Sequence, residues 1–213
     1  LLQRQKLKNP QMGYVPDAVT YMNTMLKTAR DRGTKLISNG GGVNPRAAAE
    51  RIAEGARAAG LQGTRVALVE GDDLLHKLDE LIAQRVPMVN MDTGDSDFAA
   101  IRSRVVSANV YTDSTGIVEG LAGGADVVIA GRVSDNAVYV GPLAHEFGWT
   151  RDAAHVNRFA SGVTLGHIVE CASACTGGMS SRFAEMPNMG RVGFPIVEFS
   201  ADGSAEVTKL KGT

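Results

Sequence analysis

Four short polar clusters carry the residue types that could do chemistry in this chain, and each follows an apolar run. They are Asn39-Gly40-Gly41-Gly42-Val43-Asn44-Pro45, Glu70-Gly71-Asp72-Asp73, Asn109 with Tyr111, and Arg132 with Asp135. Glycine gives up more conformational freedom on folding than any other residue, so consecutive glycines mark a place where backbone geometry or close approach demands them. If a ligand makes that approach, Asn39, Gly40, Gly41, Gly42 and Asn44 are the residues that bind it. A helix starting at Asn44 and Pro45 would present free N–H groups and a positive dipole end to a phosphate, pyrophosphate or carboxylate. The other reading is a tight strand-to-helix turn with no ligand. The run is not a P-loop, because no Gly-Lys-Ser/Thr follows, and it is not a G-x-G-x-x-G fingerprint.

Glu70 ends its apolar run where a dinucleotide-binding fold places its ribose-binding acid, so NAD stays open as an alternative cofactor. Asp72 and Asp73 read as caps of a following helix. No His or Cys stands beside them at ligand spacing, and no metal is expected. Arg132 with Asp135 reads either as a guanidinium fixed for carboxylate or phosphate recognition or as a salt bridge closing its own loop. Asn109 and Tyr111 supply neutral donors and acceptors, and either can orient a carbonyl. Glu70, Asn109, Arg132 and Asp135 are therefore the catalytic candidates, Glu70 or Asp135 moving a proton and Asn109 and Arg132 polarising a carbonyl or carboxylate. His145, His167, Cys171 and Cys175 lie in apolar helical surroundings and read as buried structural groups. No Ser-His-Asp arrangement or G-x-S-x-G elbow is present.

The elements that must position these clusters follow from periodicity. Asp17 to Arg32 has helical spacing, with Val19, Met22, Leu26 and Ala29 on one side and Gly33 as a stop. Asn44 and Pro45 open an Ala-rich helix that Gly60 closes. Strands are expected at residues 34–39, 65–71, 104–111 and 125–131, with helices between them at 72–85 and 115–124. Helices at "YVGPLAHEFGW" and "VTLGHIVECASACTGG" come next, and two alternating runs joined at Asp202-Gly203 predict a hairpin. The fold class is α/β: a mostly parallel sheet with helices on both faces, Rossmann-like and three-layered, plus a C-terminal β-hairpin, in a single domain over residues 1–213. In such a sheet ligands lie outside the carboxyl ends of the strands, which puts all four clusters on one rim.

Composition narrows the class. The chain has 213 residues, 44% hydrophobic and 21% charged, and a formal charge of −1. Without a basic patch it carries no electrostatic footprint for nucleic acid or an anionic membrane. Two cysteines are too few for a disulfide scaffold, and no signal peptide or membrane-length apolar run is visible, so a cytoplasmic location is expected. The ends read as cut: the chain opens on "LLQRQKLKN" without an initiator Met and stops at "KLKGT".

The motifs "SNGGGVNP", "VALVEGDDL", "VSANVY", "GADVVIAGRVSD", "GPLAHEFGW" and the "GFPIVEFSADGSAEVTK" hairpin before "KGT" occur here in one order. Together they resemble the amino-terminal domain of the acyclic terpene utilisation (AtuA-type) family. The resemblance implies a part in bacterial breakdown of citronellol- and geraniol-like terpenes and branched acids, which proceeds through CoA thioesters. A small acyl-CoA or carboxylate ligand is then expected. The activity would be that of a hydratase, lyase or isomerase, or the chain would be a non-catalytic partner of the same pathway. Asn39, Gly41, Gly42, Asn44, Pro45, Glu70 to Asp73, Asn109, Tyr111, Gly131 to Val133 and Asp135 match the family's motifs. The chain departs from them at Ser134 and Asn136, at Thr112 to Thr115 and around Met179. The family's upstream strand has no counterpart here, which implies association with a missing segment or a homo-oligomer.

Overall fold

The computed structural model describes residues 1–213. The chain forms two compact units, Leu1–Thr112 with Gly124–Val133, and Asp113–Gly123 with Ser134–Thr213.

In the first unit α1 (Leu2–Lys8) and α2 (Pro16–Asp31) precede β1 (Leu36–Ser38). Then come α3 (Pro45–Ala58), β2 (Val66–Val69), α4 (Leu78–Ala83) and β3 (Val127–Ala130). The strands make a parallel sheet in the order β1-β3-β2, with Leu36 and Val66 both opposite Val127. Pro16 stands in the first turn of α2, and Val19, Met22, Leu26 and Ala29 are its buried stripe. Asn44 caps α3, whose Ala47, Ala48, Ile52 and Ala56 are buried. These stripes pack with Val127 and Ile129 into one core. All four residues of β3 are fully buried, as an apolar strand in the middle of a parallel sheet should be. Burying each of its Val and Ile side chains is worth about 1.5–3 kcal/mol.

Two expectations need correcting. Residues 104–111 are not a strand of this sheet. A 3-10 turn, Phe98–Arg104, runs into extended chain that makes only isolated bridges, Asp73 with Asn109 and Thr112 with Val133. Val106, Val110 and Tyr111 remain exposed, so the β-branched residues gain none of the half-buried packing that normally rewards such a sequence. The helix expected over 72–85 is shorter. A 3-10 turn, Leu75–Lys77, leads into α4, and Arg85 at φ 55° ends it.

In the second unit α5 (Thr115–Ala122), α6 (Ala137–Glu146) and α7 (Val156–Glu170) are followed by an antiparallel hairpin of β4 (Pro195–Phe199) and β5 (Ala205–Lys209). The hairpin turns at Asp202-Gly203 as its sequence requires, with Gly203 at φ 93°. Its tip is fastened to α7, where the Ser161 hydroxyl donates to the Gly203 carbonyl at 2.6 Å. Trp149 stacks on Phe147 and meets Phe159 and Phe199 edge-on. The helix expected from Val163 begins earlier, at Val156, and ends at Glu170. His145, His167, Cys171 and Cys175 are exposed rather than buried, which corrects their reading as core groups. No helix of the molecule is long and apolar enough to cross a membrane.

Two measurements test this description. At Gly41 an added methyl would lie 2.5 Å from the Ala130 carbonyl oxygen and 2.6 Å from Pro45. Gly41→Ala should therefore destabilise the protein by about 1–3 kcal/mol, read as a lower urea midpoint with an unchanged slope. In the second unit burial would raise the Asp113 carboxyl, but hydrogen bonds from Thr115 and the Arg151 guanidinium outweigh it and hold the group below its ordinary value. Because the folded value is the lower one, this stabilisation is complete above the unfolded value and is lost as pH falls through the folded one. Asp113→Asn should be slightly less stable than wild type at neutral pH, with the gap closing below about pH 3–4.

Candidate functional site

The parallel register brings the carboxyl ends of the strands together. After β1 the chain continues the ladder, with the Gly41 N–H donating to the Ala130 carbonyl at 3.1 Å. On the other side of β3 the Gly131 N–H donates to Val69 at 3.2 Å. This places the glycine loop, the end of β3 and the extended residues around Asn109 at one edge of the first unit. Between them lies a cleft of about 240 Å³ whose polar lining comes from Asn39, Asn109 and Arg132 and from the backbone of Gly40, Gly42 and Gly131.

The glycine loop itself is filled by the protein's own chain. Gly40 N–H donates to the Ser38 hydroxyl, Gly42 to Asn39, Val43 to Gly13 and Asn44 to Gly41. Pro45 has no N–H, and the Ala47 N–H is capped by the Asn44 side chain. The N–H groups expected to meet an anion are thus largely occupied. Close approach is nevertheless what the glycines provide: Gly40 faces Ala18, Gly41 faces Ala130 and Pro45, and Gly42, at φ 56°, faces Leu2 and Gly13. The Asn44 amide reaches the carbonyls of Pro10 and Met12, each at 2.8 Å, and so ties the chain before α2 to the start of α3.

Asp72 organises the rest of the cleft. Its carboxylate is 5% exposed and accepts from the Asn109 amide at 2.8 Å and from the Arg132 backbone N–H at 3.0 Å. The space a Cβ would need at Gly131 is taken by the same carboxylate. Its own backbone carbonyl accepts from Val110 at 2.8 Å, and the Leu74 N–H donates to Ala108 at 2.8 Å. A buried carboxylate is tolerated only when hydrogen bonds replace its water, and here they come from the two segments that build the cleft. The cap expected at this position is supplied by Asp73 alone, which accepts from the Leu75 N–H at 2.9 Å. Sequence reasoning missed the role of Asp72. The only signal was a glycine directly after the most apolar strand, facing an acid at the end of its neighbour.

The side chains left for a ligand are Arg132, Asn109 and Asn39. The Arg132 guanidinium is exposed and lies 5.2 Å from the centre of the Tyr111 ring, and no hydrogen bond or ion pair engages it. The cation–π contact orients the group while its N–H donors stay free for a carboxylate or phosphate. Asn109 keeps its Oδ1 and one N–H, and the Asn39 amide is unengaged. Glu70 does not line the cleft; its carboxylate pairs with Arg46 on α3. Asp135 is an exposed residue of the second unit. No group of three or more His, Cys, Asp or Glu residues is placed to hold a metal ion.

If Asp72 is what aligns Asn109 and Arg132, then Asp72→Ala leaves the Asn109 amide and the Arg132 backbone N–H, both partly shielded from water, without their acceptor. It should cost about 1–2 kcal/mol, and Asp72→Asn should recover part of the loss by keeping one acceptor oxygen; thermal denaturation of the two variants measures both.

No curated protein and no solved structure gives a match to this chain. A family model does match, that of the acyclic terpene utilisation family protein AtuA, and it spans residues 1–213. With the match running from end to end, the chain belongs to the acyclic terpene utilisation family.

Proposed function

We propose that the cleft of the first unit binds the acyl-CoA thioester, or the free carboxylate, of a branched acid formed during acyclic terpene breakdown. The observation that carries this reading is an unpaired guanidinium, Arg132, held beside an amide, Asn109, that a buried carboxylate has fixed in place. A preset amide can polarise a carbonyl without reorganising, and an arginine fork recognises a carboxylate or phosphate oxygen pair. Asn39 and the backbone of Gly40 and Gly42 complete the wall, with Gly41 and Asn44 shaping the loop behind it.

In the hydratase, lyase or isomerase form of this reading, proton transfer falls to Glu70. Glu70 serves only if its pair with Arg46 opens. A binding role without catalysis, as a partner domain of the same pathway, is favoured by a different fact: Arg132 is the one ionisable side chain in the cleft lining. NAD has less support, because Glu70 is taken up by Arg46 and the loop N–H groups by the protein backbone. A three-layer, Rossmann-like arrangement fits the complete burial of Val128 and Ala130, whose side chains alternate to the face opposite Val127 and Ile129.

Thermal shift against CoA, a branched acyl-CoA, the free acid and NAD tests the proposal. The acyl-CoA or the acid, at 100 times its dissociation constant, should stabilise the protein by about 2.7 kcal/mol. Arg132→Ala should abolish that response while the unliganded melting temperature stays within a degree or two. Stabilisation by NAD alone would replace this reading with the dinucleotide one.

A further inference from the structure

Asn109 borders a second cavity of the first unit, about 500 Å³ in volume, within the range of small-molecule sites. Its walls are Leu78 and Leu81 from α4, Val86 and Met88 from the following turn, and Phe98 and Ile101 from the 3-10 segment. Leu78 and Leu81 are three residues apart and so share one face of α4. Apart from Asn109, each polar residue on the lining has a side-chain oxygen engaged by its own loop. Asn90 Oδ1 accepts from the Asp92 and Thr93 N–H groups, Asp95 from the Asp97 N–H, and Asp97 from the Ala100 N–H. Most of what faces the space is hydrocarbon. Val86, Val89 and Ile101 stay exposed around it at 39%, 53% and 38%, and an apolar occupant would take their surfaces out of water.

Resting on the reading of the polar cleft given above, we propose that this cavity receives the hydrocarbon chain of a medium-length acyl ligand whose carbonyl end lies at Asn109. Asn109 is the one residue common to both linings, so a ligand spanning it would have its polar end among Asn39 and Arg132 and its tail among Leu81, Met88 and Ile101. The buried Asp72 fixes this shared amide and thereby sets where head meets tail. The walls of the cavity, and not the cleft, then determine which chain lengths are accepted.

Calorimetric titration of the 213-residue chain with hexanoate, decanoate and hexadecanoate tests this. Each newly buried methylene should tighten binding about fourfold, so decanoate should bind at least about tenfold more tightly than hexanoate. Hexadecanoate, longer than the cavity, should gain nothing further. Ile101→Trp and Met88→Trp, from separate walls, should each erase the advantage of decanoate over hexanoate. Leu81→Ala, which enlarges the cavity, should shift the plateau to a longer chain and serves if either tryptophan variant fails to fold. Equal affinity across the series, or an advantage of decanoate that survives all three substitutions, would overturn the inference. Arg132→Ala separates it from the cleft reading. Loss of affinity for all three acids without dependence on chain length would leave the cleft and remove the cavity. A persistent dependence on chain length with no effect of Arg132→Ala would do the reverse.

Discussion

A carboxylate that is 5% exposed, with no cation beside it, stays in a fold only if hydrogen-bond donors stand in for the water it has lost. Asp72 takes those donors from Asn109 and from the backbone of Arg132, and so ties together the loop after β2, the extended chain before α5 and the end of β3. The consequence reaches beyond stability. Residues 105–111 make no regular ladder with the sheet, so the position of Asn109 depends on this contact and on the flanking bonds from Val110 to Asp72 and from Leu74 to Ala108. Gly131 completes the arrangement because any side chain there would occupy the place of the carboxylate.

The glycine loop illustrates how one composition can serve two purposes. Consecutive glycines with a helix behind them form an anion site when the N–H groups face solvent, and a packing device when they face the protein. Here Ser38, Ala130, Asn39, Gly13 and Gly41 accept the loop's N–H groups, and the missing side chains let the segment before α2 and the end of β3 come close. The loop is a rigid wall of the cleft, and side chains mounted on that wall supply the polarity. Arg132 differs from Arg46 and Arg151 in this respect. Arg46 and Arg151 spend their charge on Glu70 and Asp113, whereas Arg132 rests on an aromatic ring that leaves its hydrogen-bonding edge open.

Periodicity and punctuation made much of the local structure legible. Val19, Met22, Leu26 and Ala29 marked the buried side of α2, the Asn44-Pro45 pair marked the start of α3, and Asp202-Gly203 marked the hairpin turn, because each signal acts within a few residues through sterics or capping. The Val-rich stretch before Tyr111 was misread for a related reason. Strand propensity reports how well a side chain fits a pleated, half-buried surface, and no such surface is offered there. The helical cysteines and histidines were likewise judged by apolar neighbours in sequence, while their exposure is set by what packs against α6 and α7.

By itself, then, the chain determined most of its element types, its parallel α/β character and its family, all of which follow from short-range pattern or from motifs kept in order. Only the tertiary structure decided what each polar group does on arrival. It made Glu70 a partner of Arg46, buried Asp72 as the acceptor for Asn109, turned the loop N–H groups inward, and placed an apolar cavity beside the same amide. A hydrogen bond is won by the nearest well-oriented partner in space, and residues 37 apart in the chain, such as Asp72 and Asn109, become neighbours only once the sheet has formed.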